Sequence, residues 1–512
     1  MAHSLLPDML REHRAPVLIR AAGAQPQMPY GVAAGDLLRD RAIVWSRTDR
    51  PARMIVEYDT RESLQNARKI VGPAALDNTD FTARLDLTDL PADQDIFYRV
   101  SFQDLTDLSV TSEPTTGRFH TPPVTQRDVS FLWSGDEAGQ GWGINPDWGG
   151  MRIFKSMADL EPDFFVHSGD TIYADVPLKA EVKLPDGTIW KNIVTEAKSK
   201  VAESLAEYRG NFAYNYMDAN VRNFNASVLL MMQWDDHDVL NNWYPTKSMK
   251  NDTNDALYQV KSVALLASYA KRAFFEYYPL RYNADEMERI YRVIPYGPSL
   301  DVFMLDKRSY RGANNPNTQP KRGPDADFIG PTQLLWLKRA LLASNATWKV
   351  IASDMPIGLV VPDPTEKKPN FEAWANGDDG APSGRELELA EILSFIKHND
   401  IPNVVWITAD VHYTAALRYD PNKATFQDFN PFYKFVSGPL NAGTFGPNKL
   451  DGTFGPQLVY QKAPDAGQAN LPPSAGMQFF GQIQIAGDSE LMTVTLRDLE
   501  GKSLFIQEIQ PE

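Results

Sequence analysis

The sequence predicts an α/β protein: a layered core of β-sheets flanked by helices, with a small all-β sandwich ahead of it. Three observations point there. Between residues 30 and 120 short runs alternate in polarity, as in Ala42-Ile43-Val44-Trp45-Ser46 and Ile96-Phe97-Tyr98-Arg99-Val100-Ser101-Phe102, the period of half-buried strands. After residue 123, strand-like runs alternate with stretches of helical spacing. Five of the apolar runs also stop abruptly at clusters of carboxylates and glycines, as buried strands do when their ends face a ligand crevice.

In chain order, residues 1–27 hold Arg11, Arg14 and Arg20 around a short Ala15-Pro16-Val17-Leu18-Ile19 patch, too weak for a secretory core, and read as a mobile lead-in. Residues 28–122 carry expected strands at 42–46, 54–58, 81–87 and 96–102. The turn 90–95 before Ile96 is similar to one entering a strand of a fibronectin type III-like module, and Thr121-Pro122-Pro123 suits a linker. Residues 123–512 form the larger domain. Its expected helices are 195–224 with a break near Gly210, 255–278, 331–342 opened by Pro331, and 385–397. Asp186-Gly187 marks a hairpin within 176–191, and Glu500-Gly501 a second one at the end of the chain.

Composition narrows the function. The 512 residues are 43% hydrophobic, ample for a large core, and the formal net charge of −15 opposes binding of nucleic-acid polymers or anionic membranes. Without cysteine, disulfides, thiolate metal sites and cysteine nucleophiles are excluded. No apolar run reaches the length of a membrane span.

The runs 129–133, 164–166, 228–233, 348–352 and 404–408 lead respectively to Asp136, to Gly169-Asp170 with Tyr173, to Asp235-Asp236-His237-Asp238, to Ser353-Asp354, and to Asp410-Val411-His412. Side by side in one sheet, they would bring these groups into one crevice. Asp136, Asp170, Tyr173, Asp236, Asp410 and His412 are mostly hard oxygen donors with one imidazole, a set suited to iron, manganese, magnesium or calcium rather than to a soft zinc site. Asp170 can offer one oxygen to each of two cations, and a two-cation centre suits in-line displacement at a phosphate ester.

His237 adjoins a metal carboxylate that would lift its pKa, so it is the candidate for protonating the leaving group; the other reading is a buried imidazole bonded to Asp238. His167 reads as a brace behind the Gly-Asp turn. Arg308 and Arg311 either grip phosphate or pair with Asp306. Asn242 either contacts metal or phosphate or caps a turn. Trp142, Trp148 and Trp243 either wall the cleft or anchor loops.

Taken in order, Asp136, Gly169-Asp170-x-x-Tyr173, Asp235-Asp236-His237-Asp238 and Ala409-Asp410-Val411-His412 resemble the metal-binding blocks of calcineurin-like metallophosphoesterases. Trp234-Asp235-Asp236-His237-Asp238-Val239 with Asn241-Asn242, Asp410-Val411-His412-Tyr413 and Gly31-Val32-Ala33-Ala34-Gly35-Asp36 resemble, more narrowly, the alkaline phosphatase D (PhoD-type) family; Gly-Asp-x-x-Tyr is also similar to purple acid phosphatases. The resemblance implies Fe(III) on Asp136, Asp170, Tyr173 and His412 and Ca2+ on Asp170, Asp236 and Asp410, with Mn2+, Mg2+ or Zn2+ as alternatives. The family pattern has a cysteine near the first block, where this chain offers Asp136. It further implies hydrolysis of small phosphate esters by a metal-activated hydroxide and a periplasmic or secreted location. The rival reading is a non-catalytic surface protein whose carboxylates hold calcium while the β module binds a partner.

Overall fold

The computed structural model describes residues 25–364 and 370–512, so nearly all of the expected lead-in lies outside the described residues. Two large sheets face one another. The nine-stranded sheet runs in the order Ser503–Ile509, Met492–Asp498, Phe479–Ile485, Val129–Ser134, Phe164–Ser168, Leu229–Gln233, Val32–Leu38, Arg41–Arg47 and Thr82–Leu87. The seven-stranded sheet runs Arg292–Tyr296, Leu300–Met304, Trp348–Ala352, Val404–Thr408, Phe432–Val436, Thr414–Tyr419 and Pro456–Lys462.

Strand alternation explains the layering. In Phe164–Ser168, Phe164 and Val166 point between the sheets, where they join Met231, Val350 and Ile407 in one core, while Phe165 points outward with Leu230 and Met232. That outer face is covered by helices Leu205–Asn215, Ala219–Ser227 and Val263–Tyr277. The outer face of the second sheet, with Phe303, Ile351 and Trp406, is covered by helices Gly330–Ala343 and Glu386–His398. The result is four layers, helices on sheet on sheet on helices.

This arrangement corrects the expectation of one sheet. Three of the five ligand-bearing strands belong to the first sheet and two to the second, because their inward residues fill a core between sheets rather than pairing side by side. The tips still meet. Gln233 Nε2 donates across the gap to the carbonyls of Leu305 at 2.8 Å and Ala352 at 3.1 Å, and Trp133 Nε1 donates to Thr408 O at 3.3 Å.

The N-terminal strands differ from expectation too. A four-stranded sheet of Arg68–Ala75, Ala52–Asp59, Asp95–Asp104 and Thr115–His120 stands on one side, but its opposite layer is the end of the nine-stranded sheet, not a closed second face. The junction is the parallel pairing of Val32–Leu38 with Leu229–Gln233. Gly35 makes it possible, since a Cβ there would lie 2.3 Å from Leu230 O and 2.7 Å from Pro279 Cγ.

The expected helix 195–224 is two helices. Ser204 caps the first in a capping box with Glu207, and Asp218 caps the second. Gly210 lies inside the first helix and breaks nothing; a Cβ there would sit 2.5 Å from Ala197 Cβ, so glycine serves close packing. Helix Val263–Tyr277 starts later than expected, at the Ser262 cap. The hairpin at Asp186-Gly187 forms, with Val182 opposite Trp190. No helix among the described residues is long and apolar enough to cross a membrane.

Gly35→Val should be destabilising by about 1–3 kcal/mol, the usual cost of forcing extra atoms into a packed interior, and denaturant unfolding will measure it. An unchanged midpoint would mean that the first strand is not wedged against Leu230.

Candidate metal centre

The polar strand ends assemble one buried cluster. One ligand atom from each of Asp136, Asp170 and His412 lies within 4.8 Å of the others; the same holds for Asp170, Asp236 and His237, and for Asp235, Asp236 and Asp410. Asp170 and Asp236 thus join neighbouring sets. Tyr173 belongs to the first set, its phenol donating to His412 Nε2 at 2.9 Å. His412 Nδ1 is bonded to the Gly443 carbonyl, which can only accept, so Nδ1 carries the proton and the Nε2 lone pair accepts the Tyr173 hydroxyl, with Asp136 Oδ1 3.5 Å away.

Local backbone geometry aims these groups. Asp136 (φ 67°), Asp170 (φ 50°), Asp410 (φ 71°) and His412 (φ 60°) all adopt left-handed conformations that L-residues seldom use. Gly169, at φ 99°, lets the turn approach Asp235, since a Cβ would sit 2.5 Å from Asp235 Cβ. Asp238 then ties the turns, accepting from Ile172 N at 3.1 Å and Asp235 N at 2.8 Å.

The electrostatics call for cations. Burial, followed by repulsion from neighbouring aspartates, holds the carboxyls of Asp136 and Asp170 well above their ordinary range, and burial with Asp236 lifts Asp410 to about 8. Asp236 departs from this pattern: burial pushes it up, but Arg308 and His237 outweigh burial and bring it to about 2. Burial also raises the Tyr173 phenol well above its usual value, with Asp170 adding to it. Asp136 Oδ2 is buried without a hydrogen-bond partner. An unpaired inward oxygen, clustered carboxylates and a proton-free imidazole nitrogen make a donor set that fits hard cations.

His237 faces the same floor. Burial lowers its pKa, yet Asp175 and then Asp236 overcome burial and raise it to about 9. Its partner is Asp175, not the Asp238 of the alternative reading: Nδ1 lies 2.7 Å from Asp175 Oδ1, while Asp175 Oδ2 accepts from Asn241 N at 2.8 Å. The ring stacks on Tyr173 with centroids 4.4 Å apart. Asp175 escaped the sequence reading although it stands five residues after Asp170 in the same loop; that spacing was the available signal.

Other expectations meet different fates. Arg308 and Arg311 do not line the cleft. Both side chains are fully buried, Arg308 bonding Asp235 and Glu372 and standing 3.6 Å from Asp236, Arg311 bonding Glu372 at 2.7 Å. Asp306 is occupied with Trp234 Nε1 and the backbone of residues 308 and 309, so it does not pair with either guanidinium. Asn242 lines the cavity; its N–H donates to Asp236 Oδ2 at 2.6 Å and its amide donates to Asp363 at 2.8 Å. Asp354 is fully buried behind the cluster, 3.7 Å from Lys307. His167 does not brace the turn: neither ring nitrogen has a hydrogen-bond partner, Glu137 is 3.5 Å away, and burial lowers its pKa to about 3. Trp142 is bonded to Asn470, Trp148 stacks under Arg152 and Trp243 packs on Trp234, so none walls the cleft.

The cluster floors a cavity of about 350 Å³, large enough for a small organic phosphate. Its lining includes Gln140, Asn241, Asn242, Val361, Pro362 and Phe445. Phe445 carries no sequence signal, because it lies in a loop remote from every motif.

Comparison with known proteins agrees with this fold. A family model described as PhoD-like phosphatase matches residues 131–496, and one described as PhoD-like phosphatase, N-terminal domain, matches residues 13–123. The chain is 27% identical over 450 residues to Alkaline phosphatase D of Bacillus subtilis (strain 168), covering 82% of this chain and 70% of that protein. Among solved structures, PhoD is similar at a TM-score of 0.69 with 20% identity, over 96% of this chain and 91% of the other. Purple acid phosphatase PPD1 from yellow lupin (Lupinus luteus) seeds is similar at 0.56 with 13% identity, over 95% and 74%. With a carboxylate-lined metal centre at the meeting of two sheets and a family model spanning most of its length, the chain belongs to the PhoD-like phosphatases and is an enzyme of metal-dependent phosphoester hydrolysis.

Proposed function

We propose that the chain hydrolyses phosphate mono- or diesters of small alcohols, with Asp170 shared between two cations and His237 protonating the leaving oxygen. The observation that carries this reading is the placement of an imidazole, held by Asp175, on the same cavity floor as the linked aspartate sets. Asp136, Asp170, Tyr173 and His412 would hold one cation and Asp170, Asp236 and Asp410 the other. When bound, the pair supplies Lewis acidity and a water made acidic enough to serve as nucleophile near neutrality, with a pKa of about 7 in strong cases.

The rest is work for the chain's own residues. Asp175 fixes the proton on His237 Nδ1, so Nε2 faces the cavity and gives its proton to the ester oxygen as the P–O bond breaks. Asn242 places its backbone N–H on Asp236 and borders the space where phosphate would sit. Arg308 and Arg311 act from behind: by charge through Asp235, Asp236 and Glu372, they position the ligands rather than touch the substrate. Iron in the first set is supported by Tyr173, whose phenol would ionise beside a strong Lewis acid despite its burial. The all-oxygen second set supports calcium. Division into a β module over 28–122 and a phosphoesterase unit over 123–512, and a periplasmic or secreted location, belong to the same reading and rest on the family likeness. A calcium-only, non-catalytic role has no use for a paired His237 opening on a cavity, and is not favoured.

Asp170→Asn should lower bound metal, read by elemental analysis, and reduce turnover of an aryl phosphate by more than about 100-fold, since even outer partners of ligands cost 10- to 100-fold. Full metal content and full activity in this variant would end the shared-ligand assignment. His237→Gln should cost about 10²–10⁴-fold on an alkyl ester and much less on a p-nitrophenyl ester, whose oxygen leaves without a proton. Asp175→Asn should follow the same leaving-group pattern in weaker form; equal losses on both esters would remove the proton-donor role. Tyr173→Phe should abolish any visible absorption of the iron-loaded protein, and a band of unchanged intensity would place the iron elsewhere.

A further inference from the structure

The mechanism uses the floor of the cavity and leaves one wall unexplained. That wall is a single lip made by residues 360–364 and 445–449. Val360 N donates to Lys449 O at 2.9 Å, Asn448 Nδ2 donates to Val360 O at 3.0 Å, and Leu359 bridges Leu450. Tyr413 supports the lip from below: its hydroxyl accepts from Asn448 N at 3.4 Å, and Gly446, at φ 88°, passes so close that a Cβ would lie 2.6 Å from the Tyr413 ring. The lip is therefore built into the fold through a buried tyrosine.

The surface it turns to the cavity is mostly apolar, Val361, Pro362, Pro364, Phe445 and Pro447, with Asn448 as its polar member. Phe445 is closest to the chemistry, its ring edge-on to His412 with centroids 5.3 Å apart. The rest of the lining includes the neutral amides Gln140, Asn241 and Asn242 and the carboxylate Glu372, and Asn242 reaches the lip itself, its amide donating to Asp363 at 2.8 Å. A phosphate on the floor thus has the largely apolar lip beside it. An apolar arm against the lip exchanges water for carbon contacts, whereas a charged arm would be desolvated there with no charged side chain among the described lip residues that line the cavity.

We propose that Phe445, with Val361, forms a specificity subsite for the organic arm of the substrate, selecting phosphate esters whose arm next to phosphorus is uncharged and apolar or aromatic. This rests on the phosphoesterase reading of the floor. The selection is made by residues that hold no ligand and move no proton, so it separates from turnover.

The test uses metal-loaded full-length protein and two phosphonates that cannot be hydrolysed, phenylphosphonate and methylphosphonate, with binding measured by calorimetry. The wild type should bind the phenyl compound about tenfold more tightly, the worth of burying roughly half a ring. In Phe445→Ala that preference should fall to near unity while methylphosphonate affinity and metal content stay as they were. Val361→Thr, which keeps the shape and adds a hydroxyl, should reduce the preference by a few-fold and covers the case in which the alanine variant misfolds. Equal binding of both phosphonates by the wild type, or a preference that survives both substitutions, overturns the subsite and leaves the floor intact. Binding of neither compound by protein carrying its metals overturns the subsite together with the phosphoesterase reading.

Discussion

Mutual repulsion among carboxylates gathered where water is scarce is the constraint on which the rest of this molecule depends. At 4 Å two like charges would oppose one another by about 4 kcal/mol in a medium of effective dielectric 20, and the cluster brings several pairs of carboxyl groups to within 4.8 Å. Asp136, Asp170, Asp236 and Asp410 each belong to a set of ligand atoms within 4.8 Å. Such an arrangement persists only when rigid strands hold its members in place and cations answer the charge. The continuous core between the two sheets supplies the first, and the donor geometry invites the second.

The surroundings set one member of the cluster apart from the others. Asp236 has Arg308 and His237 close by and is held ionised, whereas Asp136 and Asp170 have burial and neighbouring carboxylates, and resist ionisation. Arg308 is itself compensated by Asp235 and Glu372, so the positive charge behind the floor is fixed in position. Backbone strain completes the design. Four of the candidate ligands sit in left-handed conformations, a cost accepted where a side chain must point back across its own strand end.

Much of the fold was legible because local patterns carry it. The runs ending at Asp136, Asp170 and Asp410 became strands at nearly the expected residues, and helices Gly330–Ala343 and Glu386–His398 formed where period and proline placed them. What local pattern cannot carry is which strands share a sheet. Apolar residues on both faces of Phe164–Ser168 are equally compatible with one sheet or two. Likewise Gly210 reads as a breaker until Ala197 is seen against it, and Gly35 reads as part of a motif until Leu230 is seen behind it.

The sequence by itself determined which residues are candidate metal donors, since donor type and the habit of ending apolar strands in carboxylates are written locally in Asp136, Asp170, Tyr173, Asp236, Asp410 and His412. Tertiary structure alone decided which side chains those ligands answer to: Asp175 rather than Asp238 beside His237, Arg308 spent on aspartates rather than on substrate, and Phe445 brought to the rim from a distant loop. The reason is physical. A donor's chemistry belongs to the residue, whereas its charge state, its orientation and its neighbours arise only when segments far apart in the chain are packed against one another.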